Sequence, residues 1–106
     1  MVKPVAGEIV VIPWTDSGKR RPAFVIADLP GADLILCQIT SRAHFDGFAI
    51  PLDRTDCERG QIDQPCYIRP QRLFTLEHHL ILHSLGKVTE AKLEEVLKRA
   101  REFFVE

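Results

Sequence analysis

The residues best suited to chemistry form a short basic segment near the N-terminus, residues 17–22, with the sequence SGKRRP. Its three cations stand directly before an apolar run. Guanidinium and ammonium groups bind phosphate by charge and hydrogen bonding, and an arginine can hold two phosphate oxygens at once. The segment therefore indicates an anion site. The same pattern is also typical of a solvated basic turn that protects an apolar strand from aggregation.

A second polar segment, residues 38–42 with the sequence QITSR, follows an apolar run. It places an amide, two hydroxyls and a guanidinium close together. Cleavage of a phosphodiester builds negative charge on its oxygens, and donors of this kind stabilise that charge. The alternative is an ordinary polar strand end, and the spacing alone does not separate the two interpretations.

The four histidines are weaker candidates. His78 and His79 are adjacent, so in a strand they point to opposite faces and cannot act as one pair. His44 and His83 stand alone. An acid–base histidine pair of the pancreatic-ribonuclease kind stays open, because the criterion for a general base is geometry. No set of residues has the spacing of a recognised metal site, so we predict no metal.

Two aromatic residues lie beside these segments. Trp14 ends the first apolar run, and Phe45 follows the QITSR segment. Aromatic rings can stack on the bases of a single-stranded nucleic acid. An aromatic residue beside a strand is more often part of the core, so both interpretations remain.

The apolar pattern predicts several short strands that would position these segments. Within residues 34–41, alternation puts Leu34, Leu36, Gln38 and Thr40 on one face and the intervening residues on the other. We expect residues 22–27 to be buried, together with Ile35, Cys37 and Ile39. The predicted strands are residues 8–14, 22–27, 34–40, 48–52, 66–69 and 73–76.

The rest of the chain predicts a loop, an ambiguous segment and a closing helix. Residues 53–64 are polar and indicate a long surface loop, and residues 78–85 fit either a strand or a helical turn that Gly86 breaks. Thr89 has the character of a helix N-cap. Short strands followed by one helix favour a small bent sheet or barrel. The apolar stripe of that helix is Leu93, Val96, Leu97, Ala100, Phe103 and Phe104.

Length and composition limit the classes of protein. A chain of 106 residues suits one domain, residues 1–106, with a core that needs no disulfides. Its formal net charge of -1 lacks the positive excess typical of nucleic-acid binders, so an RNA site would have to be a local cluster. No apolar run approaches membrane-spanning length, and the three cysteines show no paired spacing. We expect a cytoplasmic protein with no membrane partner.

Three stretches, in order along the chain, resemble the MazF/PemK toxins of type II toxin-antitoxin systems. The first is GEIVVIPW at residues 7–14, followed by KRRPAFVI at 19–26. The second is LILCQITS at residues 34–41. The third is IRPQRLFTL at residues 68–76, followed by LGKV at 85–88. The resemblance covers nearly the whole chain, and the closing amphipathic helix fits it.

The resemblance implies a fold, an activity and partners. The fold would be a small SH3-like β-barrel with a C-terminal helix. The activity would be metal-independent, sequence-selective cleavage of single-stranded mRNA, with no cofactor, leaving a 2′,3′-cyclic phosphate and a 5′-hydroxyl. The protein would be a homodimer, inhibited by a cognate antitoxin whose disordered tail occupies the RNA groove.

The resemblance also implies the site residues. The functional arginine of the family stands before the strand-opening proline, which here makes it Arg21, and its functional threonine ends the third strand, which here makes it Thr40. Arg21 would hold the scissile phosphate, and Thr40 would orient the phosphate or the attacking 2′-hydroxyl. An arginine is too weak an acid to serve readily as a proton shuttle, so no general base is assigned. We expect the RNA-binding surface to include Ser17, Lys19, Arg20, Ser41, Arg42 and Trp14.

Two other functions belong to different classes. One is a non-catalytic toxin on the same fold that poisons a protein target such as DNA gyrase. The other is an SH3-like protein-binding module, whose aromatic groove is poorly supplied by a chain with one tryptophan and one tyrosine. The presence of both Arg21 and Thr40 favours the ribonuclease, because a protein-binding surface does not require that pair.

Overall fold

The computed structural model describes residues 2–14, 18–42 and 47–104. Within these residues the strands form one antiparallel sheet of order β4-β6-β3-β2-β1-β7-β5, curled into a half-barrel that carries a C-terminal helix. The prediction of a small, mainly β, barrel-like fold with a closing helix is confirmed. The elements are β1 (Glu8–Trp14), β2 (Lys19–Asp28), β3 (Asp33–Thr40), β4 (Ile50–Leu52), β5 (Cys57–Gly60), β6 (Cys66–Glu77), β7 (His83–Val88) and α1 (Glu90–Arg101).

The sheet has an apolar cluster on each face. One cluster, here called the helix-side cluster, contains Phe24, Cys37 and Ile39 and includes Leu93 and Val96 of the helix. The other, the far-side cluster, contains Ala23, Val25, Leu34 and Leu36. Residues of one strand alternate between the two clusters, as the two-residue period of a strand requires. The predicted faces of residues 34–41 are therefore confirmed for the core positions.

The three central strands are the best predicted part of the chain. β1 has the predicted bounds, and Phe24, Val25 and Cys37 are fully buried. The expectation of burial is wrong in part, because Pro22, Ile26, Ala27 and Ile35 are only half-buried. Ile26 lies at a register shift of the β2–β3 ladder between Val25 and Ala27, and Ile35 lies near the start of β3. Pro22 lies near the exposed start of β2.

Strand β5 lies inside the predicted loop 53–64, and that prediction is wrong. Asp53 caps a short 3-10 turn, Arg54–Asp56, and the chain then pairs with β7. The polar sequence of β5 gives no signal of a strand, because an exposed edge strand needs backbone pairing but no apolar face. Its Arg59 donates a hydrogen bond of 2.7 Å to the buried carboxylate of Glu8 in β1. This ion pair links β5 to β1 by a side-chain contact.

Gly86 does not break the chain; it lies inside β7, so the predicted break is wrong. It pairs with Gly60 of β5. A Cβ atom on Gly60 would be 2.1 Å from the Leu85 carbonyl oxygen, and one on Gly86 would be 2.3 Å from the Arg59 carbonyl oxygen. The two strands approach so closely that neither position accepts a side chain. Gly86 is therefore required by the packing of two backbones.

Strand β6 runs unbroken from Cys66 to Glu77, where two shorter strands were predicted. Its register against β3 shifts between Cys37, which faces Leu73, and Gln38, which faces Arg69. The intervening residues 70–72 leave the ladder as a bulge, which accommodates a proline that has no N–H to donate. The ambiguous residues 78–85 resolve into a 3-10 turn, His78–Leu80, and the start of β7.

The closing helix begins as predicted, with the Thr89 hydroxyl accepting a hydrogen bond of 3.2 Å from the Lys92 amide. Leu93, Val96 and Ala100 are buried. Phe104 departs from the predicted stripe, because it is 75% exposed. The chain tightens into a 3-10 turn at Glu102–Phe104, and the change of period rotates the apolar face. Among the described helices, none is long and apolar enough to span a membrane.

Candidate functional site

Arg21 and Thr40 lie next to each other at the ends of neighbouring strands. In the β2–β3 ladder Ala23 is opposite Gln38. Continuing that register by two residues on each strand brings Arg21 level with Thr40. Two residues that are 19 positions apart in sequence therefore meet because β2 and β3 form an antiparallel pair. Arg21 is exposed and Thr40 is half-buried, so a ligand can reach both.

Strand alternation determines which face this pair occupies. Ala23 belongs to the far-side cluster, and Arg21 lies two residues before it, so the Arg21 side chain is on that face. Thr40 shares the face with Gln38 by the same argument. Arg20 lies on the opposite face, together with Phe24. The two adjacent arginines thus start from different faces, although atoms of both line one cavity at this end of the sheet.

A cavity of about 280 Å³ opens at this end of the sheet, and we call it the barrel-mouth cavity. Atoms of both Arg21 and Thr40 line it, as do Arg20 and Ser41. Across from these strand ends it is closed by the segment before β6, which contributes Asp63 and Gln64. The cavity therefore gathers cationic, hydroxyl, carboxylate and amide groups in one place. Its other lining residues are Ile9, Pro22, Ile39, Ile62, Cys66 and Leu85.

The Thr40 hydroxyl is held by the turn that follows β3. Its Oγ1 accepts a hydrogen bond of 3.2 Å from the backbone amide of Arg42. A hydroxyl that accepts one bond keeps its own proton for donation. Thr40 is therefore oriented by the backbone and can still donate to an oxygen of a bound ligand.

The remaining predicted RNA-binding residues are spread around this pair. Lys19 is exposed at the start of β2, opposite Trp14 in β1. Arg42 is exposed just after β3. Ser17 lies outside the described residues, as do His44 and Phe45. Together with Arg20 and Arg21 these cations form a local basic patch on a chain whose net charge is -1.

Trp14 does not line the barrel-mouth cavity. It lies on the far face of the sheet, where its ring meets Phe74 edge to face with centroids 5.9 Å apart. Both rings pack partly on the far-side cluster. The structure therefore places Trp14 on the same face as Arg21 and Thr40, beside a separate hollow.

Cys66 lines the barrel-mouth cavity with Arg21 and Thr40, but its thiol is unsuited to nucleophilic chemistry, and the described histidines lie elsewhere. Burial, with a smaller contribution from nearby Cys57, raises the pKa of the Cys66 thiol to about 11. Cys66 is therefore a neutral thiol at physiological pH and a poor nucleophile. The described histidines, His78, His79 and His83, are absent from the lining of the barrel-mouth cavity. In the part of the chain that the structure describes, no group of three or more acidic, histidine or cysteine residues could hold a metal ion.

Sequence reasoning missed two residues that the fold brings close to this site. Tyr67 is opposite Thr40 in the β3–β6 ladder. Asp63 reaches the barrel-mouth cavity from a segment interpreted only as surface loop. Gln38 belongs to the predicted QITSR segment, and strand alternation already placed it on the face of Thr40. Tyr67 and Asp63 depend on the strand pairing, which no local pattern contains.

Residues 6–104 match the sequence profile described as PemK-like, MazF-like toxin of type II toxin-antitoxin system. The chain belongs to this family. No curated protein sequence is close enough to count as a match. The membership of a toxin family agrees with the resemblance of the three ordered stretches.

Solved structures of MazF proteins share the fold. A MazE-MazF complex from Deinococcus radiodurans matches with a TM-score of 0.76 and 22% identity, over 98% of this chain and 97% of that chain. The Mycobacterium tuberculosis toxin MazF-mt6 matches with a TM-score of 0.73 and 15% identity, over 93% and 98%. An endoribonuclease in complex with its cognate antitoxin, from a mycobacterial species, matches with a TM-score of 0.71 and 17% identity, over 93% and 95%.

Proposed function

We propose that this MazF/PemK family member is an endoribonuclease that cuts single-stranded RNA without a metal and leaves a 2′,3′-cyclic phosphate and a 5′-hydroxyl. The observation that carries the proposal is the placement of Arg21 level with Thr40, on one face, at the mouth of a cavity within a basic patch. Phosphoryl chemistry needs charge stabilisation and positioning, and these two side chains supply both.

The proposed reaction is an internal transfer at phosphorus. The 2′-oxygen of one nucleotide attacks the adjacent phosphorus and loses its proton, while the bond from phosphorus to the 5′-oxygen breaks and that oxygen gains a proton. Negative charge grows on the two non-bridging oxygens. The Arg21 guanidinium neutralises this charge with two parallel hydrogen bonds. The Thr40 hydroxyl, held by the Arg42 amide, donates to the phosphate or orients the 2′-hydroxyl.

One proton leaves the 2′-hydroxyl and one reaches the 5′-oxygen, so the step needs no net acid or base, and we propose that solvent water exchanges both protons. Arginine remains protonated in proteins, so Arg21 acts by charge. Because the guanidinium supplies the positive charge that the transition state needs, the proposed mechanism includes no metal ion and no cofactor.

The same proposal includes two protein partners. We propose a homodimer that a cognate antitoxin inhibits. Solved structures of MazE-MazF from Deinococcus radiodurans and of a mycobacterial endoribonuclease with its cognate antitoxin support it, because those proteins share this fold. An antitoxin tail that covers the basic patch would exclude RNA by competition for the same cations.

The test is cleavage of a long single-stranded RNA by the purified protein in excess EDTA, with end-group analysis of the products. We expect cutting in the chelator, a 2′,3′-cyclic phosphate at one new end and a 5′-hydroxyl at the other. Arg101→Ala, which removes the same charge from an exposed position on the helix, is the matched control and should cut normally. An absolute need for added magnesium would overturn the proposal. Growth arrest with intact RNA would favour a toxin that acts on a protein such as DNA gyrase.

A further inference from the structure

A second hollow lies on the same face as Arg21 and Thr40. It has a volume of about 380 Å³, and we call it the aromatic pocket. Trp14 and Phe74 supply two rings at 5.9 Å and a 73° interplanar angle, and Leu73 adds an aliphatic side chain. Two polar groups complete the lining, the Gln38 amide and the Arg72 guanidinium. An apolar hollow with a few polar groups suits a flat, partly polar molecule.

The chemistry of the lining fits an unpaired nucleobase. Every base has a flat π surface that stacks on aromatic side chains. Every base also has an edge with donors and acceptors, and Gln38 can present one of each, whereas Arg72 presents donors only. Glutamine and arginine discriminate between bases where they meet base edges, because each pairs well with only some donor–acceptor patterns.

The position of the pocket connects it to the proposed catalytic pair. Gln38 lies two residues before Thr40 on the same strand and face, a separation of about 6.8 Å along the strand. Trp14 is opposite Lys19, which lies two residues before Arg21. The pocket therefore lies beside the strand ends that carry Arg21 and Thr40.

We infer that the aromatic pocket holds one unpaired base next to the scissile phosphate, and that Gln38 and Arg72 decide which base is accepted. This inference rests on the proposed function and adds the source of its sequence selectivity. Charge favours a nucleic acid over an apolar protein segment, because Arg72, Lys19 and Arg21 are all exposed around this face.

Binding is measured first, because it needs no catalysis. Trp14 is the only tryptophan in the sequence, so the intrinsic fluorescence at tryptophan wavelengths reports on the pocket itself. The probes are single-stranded 2′-deoxy hexanucleotides, which lack the attacking hydroxyl and cannot be cut, with one position varied among the four bases or made abasic. We expect a base-dependent quenching that the abasic probe does not produce. Equal signals for the abasic probe and for all four bases would overturn the inference.

Variants then test whether Gln38 and Arg72 determine base preference. Gln38→Glu exchanges a donor for an acceptor, and Arg72→Gln replaces a donor-only group with a mixed one. We expect each to alter the order of the four bases in the binding assay and, on a random RNA pool, to alter base preference at one position beside the cut. Arg54→Gln, at an exposed arginine in the 3-10 turn before β5, is the matched control and should change neither. Unchanged preference in both pocket variants would contradict the inference.

Four results distinguish other occupants of the pocket and separate the two proposals. A fluorescence change with protein concentration alone would mean that a second copy of the chain fills the pocket. Quenching by the antitoxin but not by the hexanucleotides would mean that a side chain of the antitoxin fills it. Either result overturns the inference. If base-dependent quenching occurs and RNA stays intact, the proposed cleavage fails while the pocket stands. If RNA is cut and base preference ignores Gln38 and Arg72, the pocket fails while the proposed cleavage stands.

Discussion

The two faces of the sheet are built from the same strands and differ sharply along their length. On the helix side, the face is apolar at Phe24, Cys37 and Ile39, meets the helix at Val96, and is polar at Arg20 near the start of β2. On the far side, the same strands are apolar at Val25 and Leu36 but become polar at Arg21, Gln38 and Thr40. The difference shows how a small sheet can combine stability with chemistry. The middle of each strand contributes side chains to the core, and one end of the strand contributes side chains to the candidate site.

The comparison predicts that substitutions on the helix side lower stability, whereas substitutions at the polar end of the far side lower RNA cleavage. The largest effect is expected for Phe24→Ala on the helix side, because Phe24 is a large, fully buried side chain. We expect a loss of about 3–5 kcal/mol in the free energy of unfolding. Urea denaturation followed by circular dichroism measures this loss. A Phe24→Ala protein as stable as the wild type would mean that the helix-side cluster is not the main core.

On the far side, Arg21→Ala should leave stability unchanged and reduce RNA cleavage. Removal of one preorganised charge donor costs about a hundredfold or more in rate. Arg20→Ala removes the same charge from the adjacent position on the opposite face, so it serves as the matched comparison. We expect the Arg20 variant to lose mainly salt-sensitive RNA affinity and to keep most of its maximal rate. Equal losses of maximal rate in both variants would contradict the assignment of faces.

A smaller effect concerns the helix that covers the helix side. Thr89→Ala removes the side-chain acceptor for the Lys92 amide. Loss of an N-cap residue costs about 1 kcal/mol of stability. Thr89→Asn, which keeps an acceptor, is expected to retain most of it. Denaturant midpoints of the two variants provide the test, and equal midpoints would show that the cap is unimportant.

A further effect is a dependence of stability on alkaline pH. Burial raises the pKa of Cys66 to about 11 and also raises that of Cys37. The pKa of each thiol is higher in the folded protein than in the unfolded chain. Their contribution to stability is therefore fully present below about pH 9 and is lost as the pH rises toward the pKa of the folded state. Cys66→Ala should flatten part of this fall in denaturation measured from pH 8 to 11. An identical pH profile would show that Cys66 ionises normally in the folded protein.

Parts of this architecture were predictable because they depend on local pattern. The alternation of residues 34–41 identified both faces of β3, and Thr89 marked the start of the helix. Strand β5 was not predictable, because its polar residues are held by the Arg59–Glu8 pair and by the contact of Gly60 with Gly86. These contacts join residues far apart in the chain, and no short window contains them.

In the candidate site, too, the features that depend on local pattern were predictable and those that depend on long-range pairing were not. Arg21 and Thr40 were identified from their types, their strand-end positions and a family resemblance, while their nearness depends on the β2–β3 register. Gln38 was identified as part of the QITSR segment, and strand alternation placed it on the face of Thr40. Tyr67, Asp63 and Arg72 could not, because β6 and the segment before it reach the site through long-range pairing and a bulge around Pro70.

The most direct test of the central claim is a double-mutant cycle on Arg21 and Thr40, measured as the single-turnover rate of RNA cleavage in EDTA. Arg21→Ala should cost about a hundredfold or more, and Thr40→Val about threefold to tenfold, since a hydroxyl contributes one neutral hydrogen bond. If both act on the same phosphate, the double variant loses clearly less than the product of the two single losses. Losses that multiply fully would mean that the two residues act independently, and they would contradict a single site at the ends of β2 and β3.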